Sequence, residues 1–81
     1  MNIQVQESAK KDLKKLDKLQ ALKILQAIQK LKDFPHVTNI KKLKNYYPPL
    51  RYRVGNYRIL FEIIDESIII VNIKHRKEAY D

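Results

Sequence analysis

Cysteine is absent from this chain of 81 residues, which removes both a disulfide framework and a thiolate metal site. Glycine occurs once and apolar residues make up 44% of the sequence, the composition of a compact folded chain rather than a disordered one. No apolar run approaches the roughly 18–20 residues of a membrane span, and the N-terminus lacks the apolar core of a signal peptide. The nine acidic residues are scattered, so no carboxylate cluster points to a metal, and no cofactor is expected. The length suits one domain, residues 1–81, with a small core.

What the chain has in excess is positive charge: +8, with a pI near 9.8. Such a surface attracts nucleic acid, acidic proteins or anionic membranes through a long-range, salt-sensitive field. The two cationic residue types are segregated. Eleven of the thirteen lysines lie in residues 10–44, whereas Arg51, Arg53, Arg58 and Arg76 all lie in the last 31 residues. Lysine suits diffuse attraction and the planar guanidinium suits fixed, bidentate contacts. The lysines read as a steering surface and the arginines as a site.

Local pattern gives the organisation. Residues 2–6 alternate Ile3 and Val5 with polar neighbours, a short strand. Ser8 is expected to cap a helix over 9–16, with Ala9, Leu13 and Leu16 on one stripe. Asp17, with Gln20 three residues on, starts a second helix on which Leu19, Leu22, Leu25, Ile28 and Leu31 recur at helical spacing as one stripe, widened by Ile24, and that Pro35 ends. Residues 35–49 are the least regular. Three strands follow, 50–54, 57–64 and 68–76, with turns at Gly55-Asn56 and Asp65-Glu66-Ser67. The expected fold class is α+β: an N-terminal strand, a helical hairpin, and a three-stranded antiparallel meander completing one sheet.

Side chains alternate across a sheet, so counting by twos sorts these strands. Leu50, Tyr52 and Val54 face one way and Arg51 and Arg53 the other. Tyr57, Ile59, Phe61 and Ile63 leave Arg58 opposite, and a row of Ile69, Val71 and Ile73 leaves Asn72, Lys74 and Arg76 opposite. Guanidinium groups gathered on one side of a small sheet make a phosphate-binding surface. Such a surface can stabilise the extra negative charge formed when an RNA 2′-hydroxyl attacks its adjacent phosphorus. Proton transfer is harder, because arginine holds its proton far above neutral pH. His75 can titrate near neutrality, although parity sets it on the core side, where it can equally be a structural histidine. Tyr80 can stack on a base or fold over the core edge, Glu62 shares the parity of Arg58 and can be its counter-ion, and His36 lies in the irregular loop.

The segment Leu50-Arg51-Tyr52-Arg53-Val54-Gly55-Asn56-Tyr57-Arg58-Ile59-Leu60-Phe61-Glu62, followed by Ile73-Lys74-His75-Arg76-Lys77-Glu78-Ala79-Tyr80, resembles the RelE/ParE toxin superfamily of toxin–antitoxin systems, on its RelE branch. The resemblance also takes in the opening strand, the basic helical hairpin and the Lys42-Leu43 region. It implies a cytoplasmic, metal-independent mRNA endonuclease (mRNA interferase) that enters the ribosomal A site and cleaves by 2′-hydroxyl attack. By the same resemblance, Arg51 and Arg53 match paired basic residues acting on nucleophile and phosphate, positions commonly held by lysine. Arg58 matches the transition-state-stabilising arginine, Arg76 the residue at the leaving group, and Tyr80 a base-stacking tyrosine; His75 matches a proton carrier of related toxins. The implied partners are a neutralising antitoxin, the ribosome and mRNA. A ParE-like inhibitor of DNA gyrase and a basic RNA-binding domain are the alternatives.

Overall fold

The computed structural model describes residues 1–78. Strand β1 (Asn2–Val5) runs into helix α1 (Glu7–Lys14) and helix α2 (Lys18–Lys30), which tightens into a single 3-10 turn at Leu31–Asp33. Strands β2 (Ile40–Lys42), β3 (Leu50–Val54), β4 (Tyr57–Ile64) and β5 (Ser67–His75) complete one five-stranded sheet in the order β1-β5-β4-β3-β2. β1 lies parallel to β5, and every other pairing is antiparallel. This is the α+β arrangement that the alternation and helical stripes predict, with one strand more. β2 has only three residues, too few for a visible alternation.

The helices and one sheet face share a core. Ala9, Ile24, Ala27, Ile28 and Leu31 pack with Tyr52, Ile59, Phe61, Ile68, Ile70 and Ile73. Phe61, the largest fully buried side chain, meets Phe34 edge-to-face at 6.4 Å between ring centroids. The hairpin turns follow their chemistry. Gly55 takes φ +57° and Asp65 φ +56°, each at the first central position of a two-residue turn.

Three local expectations are corrected. Asp17 does cap α2, its Oδ1 accepting from Gln20 N at 2.9 Å, but Ser8 caps nothing. α1 starts at Glu7, and the Ser8 hydroxyl donates instead to Val71 O in β5, so a tertiary acceptor overrides the local one. The buried face of α2 is Ile24, Ala27, Ile28 and Leu31, whereas Leu19, Leu22 and Leu25 are 62%, 49% and 42% exposed. Both sets have helical spacing, because α2 is apolar nearly all round, and spacing alone cannot choose between them.

The third correction bears on the site. In β5 the residues of the core shared with the helices are Ile68, Ile70 and Ile73, not Ile69 and Val71, which are buried elsewhere. The pairing Phe61↔Ile70 is followed directly by Leu60↔Asn72, so Val71 is an extra residue, a β-bulge. The bulge restores the register of the strand end, keeping Lys74 across from Arg58. Two α1 side chains one turn apart hold it: Ser8 through Val71 O at 2.5 Å, and Asp12 Oδ2, which accepts from Ile73 N at 2.8 Å. Asn72 Nδ2 adds a longer contact to the same carboxylate at 3.4 Å.

Candidate functional site: a basic face on the sheet

The sheet face turned away from the helices carries the arginines in register. Arg53 of β3 lies directly across from Arg58 of β4, and Arg58 directly across from Lys74 of β5. Directly paired residues share a face with Cβ atoms about 4.5–5.5 Å apart. Three cations therefore stand in one row over three strands. Two residues along, Arg51 is paired with Leu60 on one side and Lys41 of β2 on the other. Like charges directly opposite one another are destabilising, so the row costs the fold stability in the absence of an anion.

The arginines are not equivalent. Arg58 is 5% exposed, and its Nη1 donates to Gly55 O and Tyr57 O, both at 3.1 Å. The guanidinium is thereby tied to the hairpin turn. Arg51 is half-buried, while Arg53 and Arg76 are exposed. Arg76 follows the last strand, and its backbone N–H donates to Asn56 O at 2.7 Å, which holds this segment beside the same turn. The turn is thus the meeting point of Arg53, Arg58 and the Arg76 backbone.

A second apolar layer supports this face. Leu43, Leu60, Ile69 and Val71 are buried outside the helix-side core. The loop between β2 and β3 reaches over it. Leu43 N donates to Pro49 O, and the Tyr47 hydroxyl donates to Glu62 Oε2. That hydrogen bond, with smaller contributions from desolvation and the carboxylate charge, raises the Tyr47 pKa.

His75 is not among these cations. It pairs with Tyr57 on the helix side, where their rings meet edge-to-face at 5.4 Å, and its Nδ1 accepts from Lys77 N at 3.2 Å. Both rings line a cavity of about 240 Å³ with Asp12, Leu16, Glu78 and Lys74, the one member of the basic row that also reaches it. The sheet separates this cavity from the face bearing Arg51, Arg53 and Arg58. His36 is exposed in the loop after α2, and Tyr80 lies outside the described residues. Lys74 and Lys41 join the basic face without having been singled out as site residues. Parity with Arg76 marked Lys74; nothing marked Lys41, whose position depends on pairing of a strand three residues long.

Tyr52 offers a check on the helix-side layer. Burial raises its phenol pKa above the ordinary 10.0. A raised folded-state value means the linked stability is complete below about pH 10 and is lost as pH climbs through the raised value. Tyr52→Phe is therefore expected to flatten the fall in melting temperature above about pH 10. An alkaline slope unchanged by the substitution would contradict it.

The same fold occurs in solved toxin–antitoxin complexes. The chain aligns with the RelB-RelE antitoxin–toxin complex from Methanococcus jannaschii at 32% identity and a TM-score of 0.75, covering 96% of this chain and 95% of that one. The RelBE2 complex from Mycobacterium tuberculosis matches at 25% identity and a TM-score of 0.78, covering 93% and 96%. A model of the ParE toxin of type II toxin–antitoxin systems, parDE, matches residues 3–80, and the chain belongs to that family, within the RelE/ParE superfamily. A curated relative, Toxin RelE3 of Methanocaldococcus jannaschii, is 49% identical over 43 residues, 53% of this chain. That match spans 49% of the relative's length.

Proposed function

We propose that the basic face is the working surface of a ribosome-dependent mRNA endonuclease. The observation that carries this reading is the row Arg53–Arg58–Lys74, three cations set directly across from one another on adjacent strands. A polyanion whose phosphates span the row relieves their repulsion and is held by fixed donors. In the reaction the 2′-oxygen attacks phosphorus, the bond to the 5′-oxygen breaks, and the products are a cyclic phosphate and a 5′-hydroxyl. Arg58, with Arg53 and Lys74 beside it, stabilises the charge gathered on the phosphoryl oxygens. Arg51 supports the phosphate, and Arg76 stands beside the leaving oxygen. The proton from the 2′-hydroxyl goes to a base that the arginines do not supply. His75, behind the sheet, is poorly placed for it, so the ribosome completes the proton chemistry.

The ParE description of the matching family favours a second reading, a non-catalytic inhibitor of DNA gyrase. One experiment separates the two. Primer extension on a translated message beside a gyrase supercoiling assay is expected to show breaks within codons, only where the message is translated, and normal supercoiling. Intact message with blocked supercoiling would replace the first reading by the second. The partner that fits either reading is an antitoxin with an acidic segment lying across the sheet face; the related RelE chains are solved in complexes with RelB.

A further inference from the structure

The end of the basic face away from the Gly55 turn carries an aromatic ring in place of a cation. On β4 the side chains that share the face of Arg58 are Leu60, Glu62 and Ile64, since alternate residues point the same way. Leu60 is buried, whereas Ile64 is exposed. Glu62 lies four residues beyond Arg58, about 13 Å along the strand. There its carboxylate accepts from the Tyr47 hydroxyl, which brings the loop between β2 and β3 over this face. The loop is pinned beneath: Leu43 and Pro48 are buried, and Leu43 N donates to Pro49 O at 2.7 Å. The ring itself is left in the open. Tyr47 is 63% exposed, although an aromatic side chain ordinarily buries most of its ring.

We propose that Tyr47 is a stacking platform for a nucleobase of a single-stranded RNA whose phosphates lie on the Arg53–Arg58–Lys74 row, an assignment that rests on the endonuclease reading of that row. Single strands are held by a basic track with aromatic rings beside it, because every base has a face that stacks. Here track and ring sit on one face, at a spacing a short strand can bridge. The charges order the strand between them. Cations occupy the turn end, and the Glu62 carboxylate at the far end repels phosphate. The RNA backbone therefore stays over the row and a base turns toward the ring. The hydrogen bond to Glu62 fixes the ring before RNA arrives, which lowers the ordering cost of binding. Ile64, exposed on the same side of β4, adds apolar surface at this end of the face. Tyr47 is thus a substrate-positioning residue, removed from the reacting atoms.

The full chain is titrated at low salt into a fluorescently labelled 2′-O-methyl RNA tetranucleotide, which can bind but has no 2′-hydroxyl to attack. Tyr47→Ala is expected to weaken binding about tenfold, and Tyr47→Phe, which keeps the ring, to stay within about threefold of the parent. Melting temperatures near the parental value establish that both variants fold. An abasic nucleotide at one position is expected to weaken the parent as Tyr47→Ala does, and to leave Tyr47→Ala itself unaffected. A tyrosine that only latches the loop produces no such coupling. Equal losses in the alanine and phenylalanine variants, additive losses at every abasic position, or no binding by the parent would overturn the platform. Unchanged RNA binding beside a weakened antitoxin complex would give the ring to a protein partner instead. Primer extension on a translated message keeps the two assignments apart. A parent that cuts the message without the coupling keeps the endonuclease and loses the platform. One that shows the coupling and cuts nothing keeps an RNA subsite and loses the endonuclease.

Discussion

Arg58→Ala is expected to lower codon-specific cleavage by about 10²–10³-fold, the loss typical when a fixed donor to a transition-state oxyanion is removed. The position explains the size. Arg58 is the middle cation of the row, flanked by Arg53 and Lys74, and its guanidinium is anchored by two backbone carbonyls of its own turn. A donor fixed before the substrate arrives need not reorganise as charge develops. The same anchoring gives Arg58 a structural share, since deleting the side chain removes two hydrogen bonds, each worth about 1 kcal/mol. Arg53→Ala separates the two effects. Arg53 is exposed, so its loss is expected to weaken cleavage while leaving the melting temperature nearly unchanged. Cleavage at the parental rate in a folded Arg58→Ala chain would remove the basis for assigning the row to phosphate stabilisation.

Asp12→Ala is expected to cost about 1–3 kcal/mol of stability and to reduce activity further than that loss explains. The Asp12 carboxylate accepts the Ile73 amide just past the Val71 bulge, and without it that N–H is left in the buried layer between α1 and β5. Ser8 holds the other side of the bulge through Val71 O. If the strand ran regularly through Val71, Asn72 and Lys74 would turn toward the helices and Ile73 toward the basic face. The clamp therefore sets where Lys74 stands. Asp12→Asn keeps an acceptor at the same position and is expected to retain most of the stability and activity. Thermal melts beside primer extension check both, and an Asp12→Ala chain as stable as the parent would remove the clamp from the account.

The bulge also shows how much of this protein could be read from its residues. The faces of β3 and β4 were legible, because Leu50, Tyr52, Val54, Tyr57, Ile59, Phe61 and Ile63 alternate without interruption. The run Ile68-Ile69-Ile70-Val71 is apolar at every position and carries no alternation to read. Parity counted back from Ile73 set Lys74 correctly on the side of Arg58 but chose the wrong isoleucines for the core, because the bulge shifts the count by one. α2 presents the same difficulty in helical form, with two apolar stripes of which the tertiary fold buries one. The caps divide along the same line. Asp17 has no competing partner and caps α2, whereas Ser8 is drawn to β5, 63 residues away. His75 was placed on the core side by alternation, and the structure shows what meets it there: Tyr57 and the wall of a cavity.

The strand order has a consequence for synthesis. β5 is the last of the five strands to leave the ribosome, yet it is the strand to which both β1 and β4 are bonded. Asn2 finds its partner only when Ser67 has been made. Until then a nascent chain holds an unpaired first strand, a helical hairpin without its sheet, and a basic row lacking Lys74. Contacts so distant along the chain form late in folding. The assembled face therefore comes into being only after β5 has emerged, and a chain truncated ahead of it carries Arg51, Arg53 and Arg58 but lacks Lys74 and Arg76.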